Sequence, residues 1–245
     1  TVGGATIAAM PTNCLPHFRT RIKICGFTRE QDIDVAAAAG IDAAGFVLYA
    51  PSPRAVSVQR AAELARRLPP FITPVLLFVN ADDALLQAAA QAVPHAVWQF
   101  HGDETPERCH AVTDGGRRAY IRAARIPIEA DAPRFDLLEF ARQYTSAQAI
   151  LLDAQVAGYG GGGKVFNWSQ LPTNVNAHLV LSGGLAPANV GAGVACLRNR
   201  CKSLSVDVSS GVEAAKGIKD ADKIKAFVAA VRAADMADAH AASPK

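Results

Sequence analysis

Short apolar runs alternate with amphipathic segments along most of the chain. The apolar runs lack a regular polar alternation, which is typical of parallel strands whose two faces are both covered. Eight such strands with helical segments between them fit either a closed (β/α)₈ barrel or a doubly wound open sheet, and the pattern favours the barrel. The predicted strands are Arg21–Cys25, Ala43–Leu48, Thr73–Val79, Ala96–Phe100, Ala119–Ala123, Ala149–Asp153, His178–Ser182 and Ser203–Asp207.

Residues at the ends of the amphipathic segments predict where helices begin and end. Thr28–Gln31 matches a capping box, and Gly40 follows where that helix would stop. Ser57 predicts a second N-cap, and Thr105 before Pro106 predicts a third. The final amphipathic helix is predicted from Lys219 to Arg232, with an apolar face of Ile224, Phe227, Val228 and Val231.

The length of 245 residues suits a single barrel. We expect one α/β domain over residues 21–234, a flexible N-terminal extension over residues 1–20 and a C-terminal tail over residues 235–245, since both ends are rich in small residues. The glycine run from Gly158 to Gly163 predicts a loop after the sixth strand, because consecutive glycines disfavour a helix.

Composition narrows the class of protein. Apolar residues make up 50% of the chain and charged residues 19%, which indicates a globular protein. A net charge of +3 gives no basis for a nucleic-acid partner or a membrane surface, and no apolar run approaches the ~20 residues of a membrane-spanning helix. We expect no disulfide framework and a reducing, cytoplasmic location, because the cysteines are odd in number and widely spaced: Cys14, Cys25, Cys109, Cys196 and Cys201.

Reactive residues follow the predicted strands at one end of the repeating units. Cys25 and Gly26 lie at the end of the first strand, Asp153 ends the sixth and Asp207 ends the eighth. In a barrel and in an open parallel sheet alike, the functional face lies at the carboxyl ends of the strands. The sequence therefore predicts a site on that face.

Cys25 and Asp153 are the candidate base and acid. A free cysteine is most often a small buried hydrophobe, but at a strand end its thiolate could act as a base or nucleophile. Asp153 could simply cap a loop. Alternatively, a carboxyl that emerges from the apolar run Ala149–Leu152 has its pKa raised by burial and can serve as a general acid. The residues alone leave these alternatives open.

Other strand-end residues suit an anionic ligand. Arg54 is either a solvated surface arginine or, on a loop stiffened by Pro51 and Pro53, a fixed cation for a carboxylate or phosphate. His101 is either a loop histidine bonded to backbone or a substrate contact. The loops after the last two strands predict a phosphate site at Gly183, Gly184, Ser209 and Ser210.

The sequence contains no familiar cofactor motif. Neither a lysine-containing P-loop nor a G-x-G-x-x-G that opens a helix after a first strand is present, which disfavours ATP and dinucleotides. Histidines, cysteines and carboxylates do not cluster with the spacing of metal ligands. We therefore predict a small anionic substrate, with no cofactor and no metal.

Six stretches that occur in one order resemble the phosphoribosylanthranilate isomerase family. Each is weak alone, but the six together are specific, and they extend from about Ile22 to the final helix. They are KICGFTREQD (Lys23–Asp32), GFVLYAPSPRAVS (Gly45–Ser57), WQFHGDE (Trp98–Glu104), LLDAQVAGYGGGGKVFNW (Leu151–Trp168), LSGGLAPANV (Leu181–Val190) and VDVSSGVEAAKGIKD (Val206–Asp220).

This resemblance implies a (β/α)₈ barrel that performs an Amadori rearrangement without a cofactor. The substrate would be N-(5-phosphoribosyl)anthranilate and the product 1-(2-carboxyphenylamino)-1-deoxyribulose 5-phosphate. The resemblance implies Cys25 as general base, Asp153 as general acid and Arg54 as the partner of the anthranilate carboxylate. Asp207 would contact the sugar, and the phosphate would lie on Gly183, Gly184, Ser209 and Ser210.

Two positions depart from the family pattern, which usually has G-G-T-G followed by F-D-W. Gly162 replaces the threonine and is expected to make the loop more flexible. Asn167 replaces the aspartate and removes a charge near the start of a short helix. Neither change touches the proposed acid or base, so the expected activity stands.

Three other functions are weighed against this one. An indole-glycerol-phosphate synthase needs a lysine acid at a strand end, and none of the predicted strand ends offers one. An isomerase of broader specificity is harder to exclude. A catalytically silent barrel that binds phosphorylated ligands is disfavoured by the joint presence of Cys25 and Asp153. The oligomeric state is open between a monomer and a homodimer.

Overall fold

A computed structural model describes residues 19–128, 132–155 and 166–241 of the chain. Within these ranges the chain forms a closed barrel of eight parallel strands in sequential order, with β1 paired to β8. The predicted barrel is confirmed, and the fifth and seventh strands differ most from the predicted bounds. The strands are β1 Arg21–Cys25, β2 Ala43–Val47, β3 Thr73–Phe78, β4 Val97–Phe100, β5 Tyr120–Ile126, β6 Ala149–Ala154, β7 Val175–Leu181 and β8 Cys201–Val208.

Helices cover the outside of the barrel. The described part of the β6–β7 connection contains a 3₁₀ turn at Trp168–Gln170, and the predicted loop Gly158–Gly163 lies outside the described residues. A short antiparallel hairpin, β9 Glu213–Ala215 and β10 Ile218–Lys219, follows β8. The helices are α1 Glu30–Ala39, α2 Val58–Ala65, α3 Asp83–Ala92, α4 Pro106–Val112, α5 Leu137–Gln143, α6 Val190–Leu197 and α7 Ala221–Ala241.

Three predicted helix ends are confirmed, but one predicted N-terminal cap is not. The side chains of Ser57 and Thr105 accept hydrogen bonds from backbone N–H groups three residues later, and Gly40 ends α1 at φ 86°. The capping box at Thr28–Gln31 is wrong, because α1 has no side-chain cap. The Thr28 hydroxyl instead donates to the Gly217 carbonyl at 2.6 Å, so a distant partner in the β9–β10 hairpin replaces the local one.

The strands are buried on both faces, which explains their continuous apolar character. In β1, Ile22 and Ile24 point outward into the main core between the barrel and its helices. Lys23 and Cys25 alternate with them and point into the barrel. Two small apolar clusters fill the interior beside these polar groups: Cys25, Val47, Leu77 and Val79, and Ala123, Leu151 and Val180.

The last helix is longer than the sequence predicts. Its predicted apolar face is confirmed, since Ile224, Phe227, Val228 and Val231 are buried. Asp235 accepts hydrogen bonds from the N–H and hydroxyl of Thr20 and pairs with Arg198. Residues 235–241 therefore continue α7 instead of forming a tail, while residues 1–18 and 242–245 lie outside the described ranges. None of the described helices has the length and apolar character needed to cross a bilayer.

Candidate active site

Four of the predicted site residues meet at the carboxyl end of the barrel. Cys25, Asp153 and Asp207 come from the ends of β1, β6 and β8, and His101 follows directly after β4. Each is only 5% exposed. Asp207 lies close enough to Asp153 and His101 for both to influence its pKa, so the residues share one electrostatic environment.

On the β1–β8 side, a buried cation joins the thiol to a carboxylate. The Lys23 Nζ atom lies 2.9 Å from both carboxylate oxygens of Asp207. Burial raises the pKa of the Cys25 thiol, and the ammonium groups of Lys23 and Lys219 oppose that rise. A Cβ atom at Gly45 would lie 2.7 Å from the Cys25 Sγ and 3.1 Å from the Lys23 Nζ, so glycine leaves room for this pair.

The ionic state of Lys23 and Asp207 follows from their contact. Burial opposes the charge on Lys23, but Asp207, together with Cys25, outweighs it and raises the pKa of the ammonium. Burial likewise raises the pKa of Asp207, and Lys23 opposes that shift. The symmetric contact with both oxygens favours an ion pair over two neutral groups.

On the β4–β6 side, Asp153 belongs to a chain of hydrogen bonds with uncharged partners. Its Oδ1 atom accepts the Ala154 N–H at 3.0 Å, and its Oδ2 atom lies 3.0 Å from His101 Nε2. The Gln99 amide nitrogen lies 3.0 Å from His101 Nδ1. Because an amide N–H₂ only donates, Nδ1 accepts, and Nε2 carries the hydrogen that points at Asp153. This arrangement suits an ionised Asp153.

The opposite protonation state needs only an amide rotation. If Asp153 holds a proton on Oδ2, His101 must accept it at Nε2 and donate from Nδ1. Gln99 then has to turn its carbonyl oxygen toward Nδ1. That oxygen is buried and has no hydrogen-bonding partner in the described part of the chain. Gln99 can therefore support either state of the acid.

Arg54 is not a solvated surface arginine, and its guanidinium group is already partly bound within the protein. It is only 8% exposed, and its Nε and Nη2 atoms donate to the two carboxylate oxygens of Glu213 at 2.7 and 2.8 Å. Lys219 Nζ donates to the same carboxylate at 2.9 Å. Burial alone would raise the pKa of Glu213, but Arg54 and Lys219 lower it, so the carboxylate stays ionised.

The predicted phosphate loops lie beside Asp153 and Cys25. Gly183 and Gly184 follow β7 at φ 75° and 65°, where a side chain would be strained. A Cβ atom at Gly183 would lie 3.0 Å from the Asp153 Oδ1. The Ser209 hydroxyl donates to the Cys25 carbonyl at 3.0 Å, and Ser210 opens a 3₁₀ turn that ends at Val212.

Asn167 still caps a short helix despite its lost charge. Its Oδ1 atom accepts from the N–H of Ser169 at 3.1 Å at the start of the 3₁₀ turn. The charge that the family's aspartate would add is thus not needed for this cap. The other departure, Gly162, lies outside the described residues.

Sequence reasoning missed four residues that organise the site: Lys23, Gln99, Glu213 and Lys219. Lys23 and Gln99 sit two positions before Cys25 and His101, and the two-residue period of a strand places each pair on one face. A charged or amide side chain within an otherwise apolar strand is the sequence feature that could have identified Lys23 and Gln99. Lys23 lies two residues before the end of β1, near where an indole-glycerol-phosphate synthase would need its lysine acid. Its ammonium is paired with the Asp207 carboxylate.

Comparison with known sequences gives a consistent family. The sequence profile described as N-(5'phosphoribosyl)anthranilate (PRA) isomerase matches residues 22–230. An N-(5'-phosphoribosyl)anthranilate isomerase from Methylibium petroleiphilum is 62% identical over 217 residues, which cover 89% of this chain and 96% of the relative. A protein of the same name from Leptothrix cholodnii is 58% identical over 225 residues, covering 92% of this chain and 96% of the relative.

Solved structures agree with the sequence comparison. The phosphoribosyl anthranilate isomerase of Thermotoga maritima has a TM-score of 0.75 and 38% identity, covering 87% of this chain and 99% of its own. A second crystal structure, of a phosphoribosyl anthranilate isomerase in complex with reduced 1-(o-carboxyphenylamino)-1-deoxyribulose 5-phosphate, has a TM-score of 0.72 and 35% identity, with the same coverage.

Proposed function

This chain belongs to the N-(5'-phosphoribosyl)anthranilate isomerase family, and from that premise we propose how its barrel mouth performs the rearrangement. The reaction converts N-(5-phosphoribosyl)anthranilate into 1-(2-carboxyphenylamino)-1-deoxyribulose 5-phosphate in tryptophan biosynthesis. One observation carries the assignment of roles: a thiol beside an ammonium and a carboxyl beside an imidazole are buried in the same mouth.

Asp153 supplies the proton that opens the sugar ring. The proton goes to the furanose oxygen, the C1–O bond breaks with its electron pair on that oxygen, and the nitrogen lone pair forms a C=N bond to C1. Asp153 is left as a carboxylate beside an iminium. Once the hydrogen of His101 has moved from Nδ1 to Nε2 and Gln99 has turned its amide nitrogen back to Nδ1, the ring donates to the new carboxylate across the 3.0 Å contact with Oδ2.

Cys25 then acts as the base. The iminium makes the C2 proton acidic, and the thiolate removes it, so that the C–H electron pair forms a C1=C2 bond and the C=N pair returns to nitrogen. The resulting enolamine gains a proton at C1 and loses one from O2 to give the ketone. The substrate's nitrogen is the electron sink, which accounts for a mechanism that needs no cofactor.

Anchors at both ends of the substrate supply the orientation. We propose Arg54 for the anthranilate carboxylate, Asp207 for the sugar, and the loops of Gly183, Gly184, Ser209 and Ser210 for the phosphate. In this proposal His101 contacts substrate and also forms a hydrogen bond with Asp153, the proposed acid. When the substrate's carboxylate and phosphate are both held in place, C1 and C2 lie between Asp153 and Cys25. This positioning lowers the entropic part of the activation barrier.

A turnover assay tests this function. Phosphoribosylanthranilate is labile, so it is generated in the cuvette and its disappearance is followed with and without the protein. We expect saturable turnover that inorganic phosphate inhibits competitively. A folded protein that binds phosphate but does not turn over the substrate would instead be a silent phosphate-binding barrel. Comparable turnover of a related aminosugar phosphate would indicate the isomerase of broader specificity.

We also propose a cellular compartment and an oligomeric state for this protein. The described cysteines Cys25, Cys109, Cys196 and Cys201 are all free, which agrees with a cytoplasmic, reducing compartment. The phosphoribosylanthranilate isomerase of Thermotoga maritima is dimeric, and a crystal structure of monomers generated from it is known. We expect either a monomer or a homodimer here, and sedimentation velocity distinguishes the two.

A further inference from the structure

The contact between Arg54 and Glu213 leaves one edge of the guanidinium uncommitted. A guanidinium can bind a carboxylate through its Nε and Nη2 atoms or through its two terminal nitrogens. Glu213 takes the first edge with contacts of 2.7 and 2.8 Å. Within the described ranges, no residue accepts a hydrogen bond from the Arg54 Nη1 atom. The end of the guanidinium is thus available to a second carboxylate.

Glu213 is itself held firmly on the β9–β10 hairpin. Its Oε1 atom accepts from Lys219 Nζ at 2.9 Å and from the Gly217 N–H at 3.3 Å. Lys219 Nζ also donates to the Ser209 carbonyl at 3.0 Å, at the end of β8. This network connects the loop that carries Arg54 to the loop proposed for the phosphate.

Arg54 is also fixed relative to the base. A Cβ atom at Gly26 would lie 2.6 Å from the Arg54 Cδ atom, so the arginine's aliphatic stem crosses directly over the residue after Cys25. With its stem against Gly26 and one edge on Glu213, the guanidinium has little rotational freedom. Its open end therefore has a defined direction, which is what recognition of a planar carboxylate requires.

We propose that Glu213 is a positioning residue for substrate recognition, which holds Arg54 so that its two terminal nitrogens receive the substrate's ring carboxylate. The inference rests on the proposed role of Arg54. Charge and orientation make opposite predictions for Glu213. As a negative charge alone, it would repel an anionic ligand, and its neutralisation would strengthen binding. As a positioning group, its loss weakens binding despite the added net positive charge.

Two ligands separate these effects. The first is the reduced product, 1-(2-carboxyphenylamino)-1-deoxyribitol 5-phosphate, and the second is the same compound without the ring carboxylate. Isothermal titration calorimetry gives the Kd of each for the wild type and for Glu213→Gln. We expect Glu213→Gln to weaken the first ligand about tenfold and the second by less than about twofold. In turnover, KM should rise by a larger factor than kcat falls.

The controls distinguish failure of the inference from failure of the proposed function. Arg54→Ala should weaken only the carboxylate-bearing ligand; if it affects neither ligand, the role of Arg54 is wrong. If Arg54→Ala is selective but Glu213→Gln weakens both ligands equally, or tightens the first, the positioning role is overturned. Should Glu213→Gln fail to fold, Glu213→Gln/Lys219→Met removes the unbalanced cation, and the same selectivity is expected of that variant.

Discussion

The two sides of the barrel mouth differ in how they treat a buried ionisable group. On the β1–β8 side, Cys25 is accompanied by the ammonium groups of Lys23 and Lys219, which oppose the rise in its pKa that burial causes. On the β4–β6 side, Asp153 contacts an imidazole and a backbone N–H, each at 3.0 Å. Neutral partners let a carboxyl keep its proton, whereas an ammonium at that distance would hold it ionised.

For the proposed roles of Cys25 and Asp153, this difference lets one small mouth hold a base and an acid together. Burial favours the neutral form of an ionisable group, which helps an acid and hinders a base. Cations are therefore needed only beside Cys25. Asp207 prevents Lys23 from becoming an unpaired buried charge, because both of its carboxylate oxygens lie 2.9 Å from Nζ.

The largest effect is expected when the acid loses its transferable proton. Asp153→Asn keeps the shape and still accepts the Ala154 N–H, but it cannot protonate the furanose oxygen. We expect kcat to fall about 10⁴-fold, the upper end for acid–base groups, with little change in the Kd of the reduced product. Single-turnover kinetics provide the measurement, since product release could otherwise mask the chemical step. A wild-type single-turnover rate would exclude Asp153 as the acid, and Asp207 would become the candidate.

A somewhat smaller loss is expected from the base. Cys25→Ser replaces the thiol with a far less acidic hydroxyl, but the iminium has already activated the C2 proton, and solvent can remove it slowly. We expect a loss of about 10³-fold in kcat with substrate binding retained. Cys109→Ser is the matched control, because that thiol is buried outside the mouth in the main core, and it should keep normal kcat. Near-normal turnover of Cys25→Ser would refute the assignment.

Changing the cation beside the thiol should shift the pH profile in a defined direction. Lys23 lowers the pKa of Cys25 and Asp207 raises it, so their removal has opposite effects. The base is active when deprotonated, and the rate therefore rises with pH through its pKa. Lys23→Met should move this limb to higher pH and lower the rate at neutral pH, because the ammonium no longer opposes the rise in the pKa of Cys25.

Asp207→Asn should move the same limb to lower pH, provided the fold is retained. Because Lys23→Met leaves a buried carboxylate unpaired, a double variant with Asp207→Asn guards against unfolding. Thermal melting identifies any variant that is merely destabilised. Shifts of the same sign in both single variants would contradict the proposed electrostatics.

The sequence alone predicts the position of the site but not all of the contacts within it. The pattern of strand ends in the sequence correctly places Cys25, Asp153 and Asp207 at one end of a barrel. It does not reveal that Lys23 pairs with Asp207 or Arg54 with Glu213, because those partners are 184 and 159 residues apart in the chain. The failed cap at Thr28 has the same cause, since its partner Gly217 is 189 residues away.

The smallest effect is expected at Gln99. Gln99→Leu removes the amide that contacts His101 Nδ1 but leaves Asp153 in place. Loss of one hydrogen bond of about 1 kcal/mol should lower kcat about fivefold. The ¹⁵N shifts of His101 report its tautomer directly, and we expect them to change in Gln99→Leu. Unchanged shifts would show that Gln99 does not set the tautomer.

The division of the mouth into a base side and an acid side is tested most directly by the pH dependence of the single-turnover rate. The wild type should show two limbs, a rise as the base loses its proton and a fall as the acid loses its own. Asp207 raises the pKa of Cys25, and Asp153 raises the pKa of Asp207, so the two limbs are macroscopic properties of interacting groups. Cys25→Ser should lose the rising limb alone, and Asp153→Asn the falling limb alone. If either variant keeps both limbs, or if each loses the other's limb, the account is wrong.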